Sequence, residues 1–217
     1  MSCAAALILV GASGVGKNTV AEILLSMEGS PFTYTRSLTT REVRGTFSDE
    51  YLYVSEEEFL SRVSGGKMLE YTRYGGKFYG TPVSEVERAR LEGKIPLMIL
   101  DINGVESIRR DHPELPIYAV YLYADPREIA LRLEKRDLLD GSEENRHKIR
   151  MRLRNNREDF RSLADGRYAS FDAFVENKDM NECARAVMRS YEDSETLNEA
   201  QCAYMRSLFE KMAHIEF

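Results

Sequence analysis

The residues with the clearest chemistry lie in LILVGASGVGKNTVAEILL, residues 7 to 25. Gly11, Gly16 and Lys17 stand in GxxxxGK spacing, after an apolar run and at the start of an amphipathic one. A loop of this type curls backbone N–H groups around a phosphate at a helix N-terminus, and its lysine neutralises charge on a transferred group. Gly11, Ala12, Ser13, Gly14, Val15, Gly16, Lys17, Asn18 and Thr19 are therefore the candidate nucleotide-phosphate site. A glycine-rich turn without function would not need the lysine.

Asn18 departs from the usual pattern, in which a serine or threonine hydroxyl after the lysine holds magnesium. An amide oxygen can still coordinate the metal, but it is neutral and bulkier. Thr19 points about 100° further round the helix. The expectation is weakened Mg²⁺ binding with phosphate binding retained. A second element, the carboxylate of Asp101, closes the apolar run LMILD and would lie where ligands bind at the carboxyl edge of a parallel sheet, holding Mg²⁺ through water. The alternative for Asp101 is a capping carboxylate in a loop. In SLTTREVRG, residues 37 to 45, Arg41 and Arg44 lie near Ser37 and Thr39, and paired guanidinium groups suit a dianionic phosphate monoester.

These residues need a frame. Apolar runs at 6–10, 95–101 and 117–124, with a weaker one at 172–177, read as buried parallel strands. Helical patterns lie at 17–27, 84–93, 125–136, 142–164 and 181–192. Strands alternating with helices predict an α/β fold around a parallel sheet. Two regions break the alternation. Residues 33–80, rich in Tyr, Thr, Gly and Arg, predict an inserted, mostly β subdomain with one helix opened by a capping box at Ser55 and Glu58. Residues 126–164, dense in arginine, predict a lid closing over anions. A tail, 192–217, predicts a docked helix with a capping box at Thr196 and Glu199 and apolar residues at Leu197, Tyr204, Met205, Leu208, Phe209 and Met212. Self-association through that face is the alternative.

Bulk properties narrow the function. The chain has 217 residues, enough for one domain with insertions, and a net charge of −6, which disfavours general nucleic-acid binding. Its three scattered cysteines read as reduced thiols, and no run reaches the ~18 apolar residues of a membrane span. A cytoplasmic protein without membrane or nucleic-acid partners is expected.

Taken with EYLYV (50–54), MLEYTRYGGKFYGTP (68–82) and ILDINGV (99–105), the glycine loop and the TTR-x-x-R run resemble the guanylate kinase family from about residue 6 to residue 190. The resemblance implies a P-loop NTPase-type core (1–32, 81–125 and 165–191), a GMP-binding insert (33–80), a helical lid (126–164) and a C-terminal helical extension (192–217). It implies an ATP-dependent kinase of GMP or dGMP that uses Mg²⁺, as monomer or homodimer. Ser37, Arg41, Arg44, Tyr51 and Tyr79 would hold the GMP phosphate, Glu70 and Thr81 would meet guanine, and Asp101 would join the acceptor site. Lys17, Arg41, Arg136 and Arg152 would be the catalytic cations, and Asn177 would touch adenine. Glu70 also fits by chemistry, because a carboxylate accepts from two adjacent guanine donors, whereas adenine presents an acceptor there. The chain departs from the family in Asn18, in DINGV where D/E-I-D-x-Q-G is common, and in RD at 136–137 where RG is usual. These departures leave two alternatives open: a phospho-ligand binding module without catalysis, and a sister sugar-bisphosphate kinase of the same fold.

Overall fold

The computed structural model describes residues 6–43, 51–74, 76–137, 142–194 and 196–215. The order is β1 (Ala6–Gly11), α1 (Lys17–Ser26), β2 (Phe32–Tyr34), β3 (Ser37–Thr39), β4 (Tyr51–Tyr53), α2 (Glu56–Ser64), β5 (Met68–Tyr74), β6 (Lys77–Pro82) and α3 (Val83–Leu91). It continues with β7 (Ile95–Ile99), α4 (Ile102–Asp111), β8 (Ile117–Tyr123), α5 (Pro126–Asp137), α6 (Glu143–Ala164), β9 (Ala173–Glu176), α7 (Met180–Asp193) and α8 (Glu199–Ala213). Five strands form one sheet in the order β2-β7-β1-β8-β9, and four form another in the order β4-β3-β6-β5. The β2–β7 and β8–β9 pairs are parallel. Ala6 to Val10 are all buried, as a strand covered on both faces requires. The expected α/β architecture is therefore present.

The chain divides into two compact units, residues 1–8 with 25–118 and residues 9–24 with 119–217. In the first, the four-stranded sheet covers Leu38, Phe59 and Met68, and Phe78 stacks on Phe59 at 5.2 Å between centroids. β5 and β6 form an antiparallel hairpin that sets Glu70 opposite Thr81. β2 lies inside the range expected for the insert but pairs with β7. Ser55 caps α2 by accepting from Glu58 N–H, while the Glu58 side chain accepts from Arg62, so only half of the expected capping box forms.

In the second unit, Tyr121, Phe160, Phe171, Phe174 and Phe209 build an aromatic cluster. Phe209 sits edge-on to Tyr121 at 5.5 Å and stacked on Phe160 at 6.1 Å. The tail helix thus docks on the core through Met205, Phe209 and Met212, all buried, while Tyr204 faces solvent. Its cap differs from the expectation: Asn198 and Gln201 form the reciprocal capping box, two residues beyond the Thr196–Glu199 pair. Cys183 and Cys202 are free thiols. Among the described residues no helix is long and apolar enough to cross a membrane.

Candidate active site

Within the second unit, β1 delivers the glycine loop to the N-terminus of α1. Gly11 has φ +150° and Gly16 φ +102°. A Cβ on Gly11 would lie 2.3 Å from the Leu122 carbonyl oxygen, and one on Gly16 would lie 2.7 Å from the Met180 side chain. These positions therefore exclude side chains on two grounds, backbone conformation and space.

The loop carbonyls are tied back. Lys17 Nζ donates to the carbonyls of Gly11 (2.6 Å) and Ala12 (3.2 Å). The Asn156 amide accepts from Ser13 N–H at 2.7 Å and donates to Ser13 C=O at 2.9 Å. Val15 C=O accepts from Asn177 Nδ2 (2.7 Å) and from Arg132 (3.2 Å), and Arg132 also donates to Asn177 C=O (2.9 Å). With carbonyls bound on one side, a loop of this kind is left to present N–H dipoles to an anion. Asn18 and Thr19 are exposed in the first turn of α1. Arg136 lies exposed on α5 and Arg152 lies half-buried on α6, the helix against which α5 packs.

The Asn177 side chain, expected near adenine, is fully buried under the loop, where its Nδ2 donates to Val15 C=O and to Met180 Sδ and so supports the loop. Sequence reasoning missed Asn156 and Arg132. A polar residue on an otherwise solvated arginine-rich helix was the only available signal.

Within the first unit, Arg41 stands on the loop after β3. Its guanidinium carbon lies 4.5 Å from the Tyr51 ring centroid, and NH2 donates to Tyr53 Oη at 3.4 Å. The hydrogen bond Arg41 donates to Tyr53 raises the Arg41 pKa, against a smaller lowering by burial. Arg41 Nε is buried without a hydrogen-bond partner among the described residues. Register sets Ser37 opposite Tyr51 and Thr39 opposite Tyr79, and the Tyr51 and Tyr79 rings meet edge-on at 6.3 Å. One sheet therefore gathers Ser37, Arg41, Tyr51 and Tyr79. Arg44 lies outside the described residues.

On the neighbouring hairpin, Glu70 is 7% exposed and accepts from Thr81 Oγ1 at 2.8 Å. Burial pushes its pKa up to about 7, the Thr81 bond lowers it, and the Asp101 charge raises it further. Asp101 caps α4, its Oδ1 accepting from Gly104 N–H at 2.7 Å. The capping alternative is thus realised, on a helix the sequence reading did not foresee. A Cβ on Gly104 would stand 3.4 Å from both Glu70 Oε2 and Asp101 Oδ1, so the glycine leaves open the space beside the two carboxylates that a side chain would fill.

The family model for guanylate kinase matches residues 4–194. The chain belongs to the guanylate kinase family. It is 34% identical over 176 residues to the guanylate kinase of Lactobacillus acidophilus, covering 79% of this chain and 82% of that protein. It is 33% identical over 142 residues to that of Bacillus subtilis, covering 63% and 66%. A crystal structure of guanylate kinase from Anaplasma phagocytophilum superposes with a TM-score of 0.66 over 100% of this chain and 98% of that chain; at 22% identity it supports the fold. Helix α8 falls beyond the family match.

Proposed function

We infer that this guanylate-kinase family member transfers the γ-phosphoryl group of ATP to GMP or dGMP, giving ADP and GDP or dGDP. The observation that carries the acceptor assignment is Glu70: a buried carboxylate, bonded to Thr81 and flanked by Asp101, which suits the reading of two guanine donors. Ionised, it accepts from N1–H and the exocyclic amino group together, which adenine and the pyrimidines do not offer. Arg41, with its buried Nε, Tyr51, Tyr79 and Ser37 are assigned to the GMP phosphate, and Arg44 to the same task by family resemblance.

The glycine loop is assigned to ATP, its N–H groups and Lys17 taking the β- and γ-phosphates. Lys17, Arg41, Arg136 and Arg152 are assigned to the charge that spreads over the transferred group. A phosphate oxygen of GMP attacks the γ-phosphorus in line as the bond to the ADP oxygen breaks, so no covalent enzyme intermediate forms. Lid closure over 126–164 would exclude water and limit ATP hydrolysis. The donor set fits magnesium sparingly. Asn18, on the exposed first turn of α1, brings a neutral amide in place of a hydroxyl, Asp101 spends one oxygen on its cap, and no group of three His, Cys, Asp or Glu suited to a metal occurs among the described residues. Mg²⁺ carried in by ATP would be held mainly by phosphate oxygens and water. Asn177 is assigned to the loop's support.

The test is ADP production from Mg²⁺-ATP with GMP, dGMP, AMP, UMP, CMP and ribose bisphosphate, at several magnesium concentrations. Turnover confined to GMP and dGMP is expected, with a high magnesium requirement assigned to Asn18. GMP binding without turnover would establish a recognition module, and turnover of ribose bisphosphate would establish the sister kinase.

A further inference from the structure

One side chain shapes the glycine loop from outside it. Asn156, on α6, is 2% exposed and bonds both the N–H and the C=O of Ser13. A planar amide that pairs with both backbone groups of one residue fixes the two peptide planes flanking that residue. The plane after Ser13 carries the N–H of Gly14, whose φ of +89° turns the loop. No other uncharged side chain of this length both donates and accepts in one plane. Aspartate has no donor and alanine has neither group.

Helix α6 is itself held. Phe160, one turn beyond Asn156, stacks on Phe209 of α8, and Arg157 donates to the Ile215 carbonyl at 3.0 Å. We propose that Asn156 is a positioning residue of the phosphate loop, with α8, the helix beyond the family match, bracing α6 so that the amide meets Ser13. The inference rests on the kinase reading of the loop. It assigns to this tail a part in ATP binding rather than in GMP binding.

The experiment compares wild type with Asn156→Ala, Asn156→Asp and Phe209→Leu, using KM for each substrate, ADP affinity and the exchange rate of the Ser13 amide proton. Asn156→Ala is expected to raise KM for ATP and weaken ADP binding about tenfold to a hundredfold, with KM for GMP changed less than about twofold. The Ser13 amide should then exchange much faster. Asn156→Asp keeps the acceptor, so Ser13 exchange should stay slow while ADP binding still weakens. Should the alanine variant not fold, the aspartate variant decides by the same KM split. Phe209→Leu should shift ADP affinity in the same direction and add little when combined with Asn156→Ala.

Unchanged ATP and ADP parameters, or equal losses for ATP and GMP, would overturn the role of Asn156. Full additivity of the two variants would overturn the brace. Were wild type to turn over no GMP, the kinase reading would fail, while ADP affinity and Ser13 exchange would still judge Asn156.

Discussion

Glu70 is asked both to be buried and to carry a charge. Burial raises its pKa from the usual 4.5 to about 7, so the folded chain holds this proton more tightly than the unfolded chain. The stability it contributes is complete below about pH 4.5 and is lost as pH rises through about 7, an effect on the order of 3 kcal/mol at most. Glu70→Gln should therefore flatten the fall in urea midpoint over that window. Guanine needs the ionised form, so activity runs the other way. kcat/KM for GMP should drop roughly tenfold per pH unit below about 7. The glutamine variant should lose that pH limb and about 10²-fold or more of kcat/KM, because an amide N–H would face a guanine donor. A pH profile of both proteins checks the pair of effects. Glu70 was legible only through the family motif. Taken alone it reads as a solvated charge, because neither its burial nor the bond to Thr81 is written in its neighbours.

At the scale of elements, β1, the glycine loop and α1 were legible because apolar period and turn chemistry agree within twenty-five residues. Helix α4 was not, since Asp101-Ile-Asn-Gly reads as a turn, and only the burial of Ile102, Val105 and Ile108 reveals the helical spacing. Asp101 consequently has two duties that substitutions can separate. Asp101→Asn keeps the cap and should leave thermal stability nearly unchanged while lowering the Glu70 pKa, which moves the acid limb of the GMP pH profile to lower pH. Asp101→Ala should in addition cost about 1 kcal/mol, or roughly 2–4 °C in Tm. The start of α8 was misplaced because Thr196–Glu199 and Asn198–Gln201 both fit the capping pattern. Asn198→Ala should accordingly lower stability by about 1 kcal/mol, and Thr196→Ala by much less, as denaturant titration would measure.

For the molecule as a whole, long-range pairing was the part the sequence withheld. Asn156 and Ser13 are 143 residues apart, and Arg41 finds Tyr53 only because β3 and β4 lie side by side. Local patterns say that a residue is polar; they do not say which distant group it will meet. The tail follows the same logic. Its apolar stripe was visible, but its place in the aromatic cluster was not. Phe209 is 0% exposed and touches Tyr121, Tyr123, Phe160 and Phe174, so Phe209→Ala should cost about 3–5 kcal/mol in a urea titration, as an integral core position would.

Lys17 brings the three scales together. Its ammonium hydrogens bond the loop's own Gly11 and Ala12 carbonyls. An incoming nucleotide must compete for them, so phosphate capture is an exchange of partners, with less heat released than the new contacts alone suggest. Any change that tightens the lysine on its own backbone should slow this handover. For this lysine, holding the empty loop and gripping the nucleotide are antagonists.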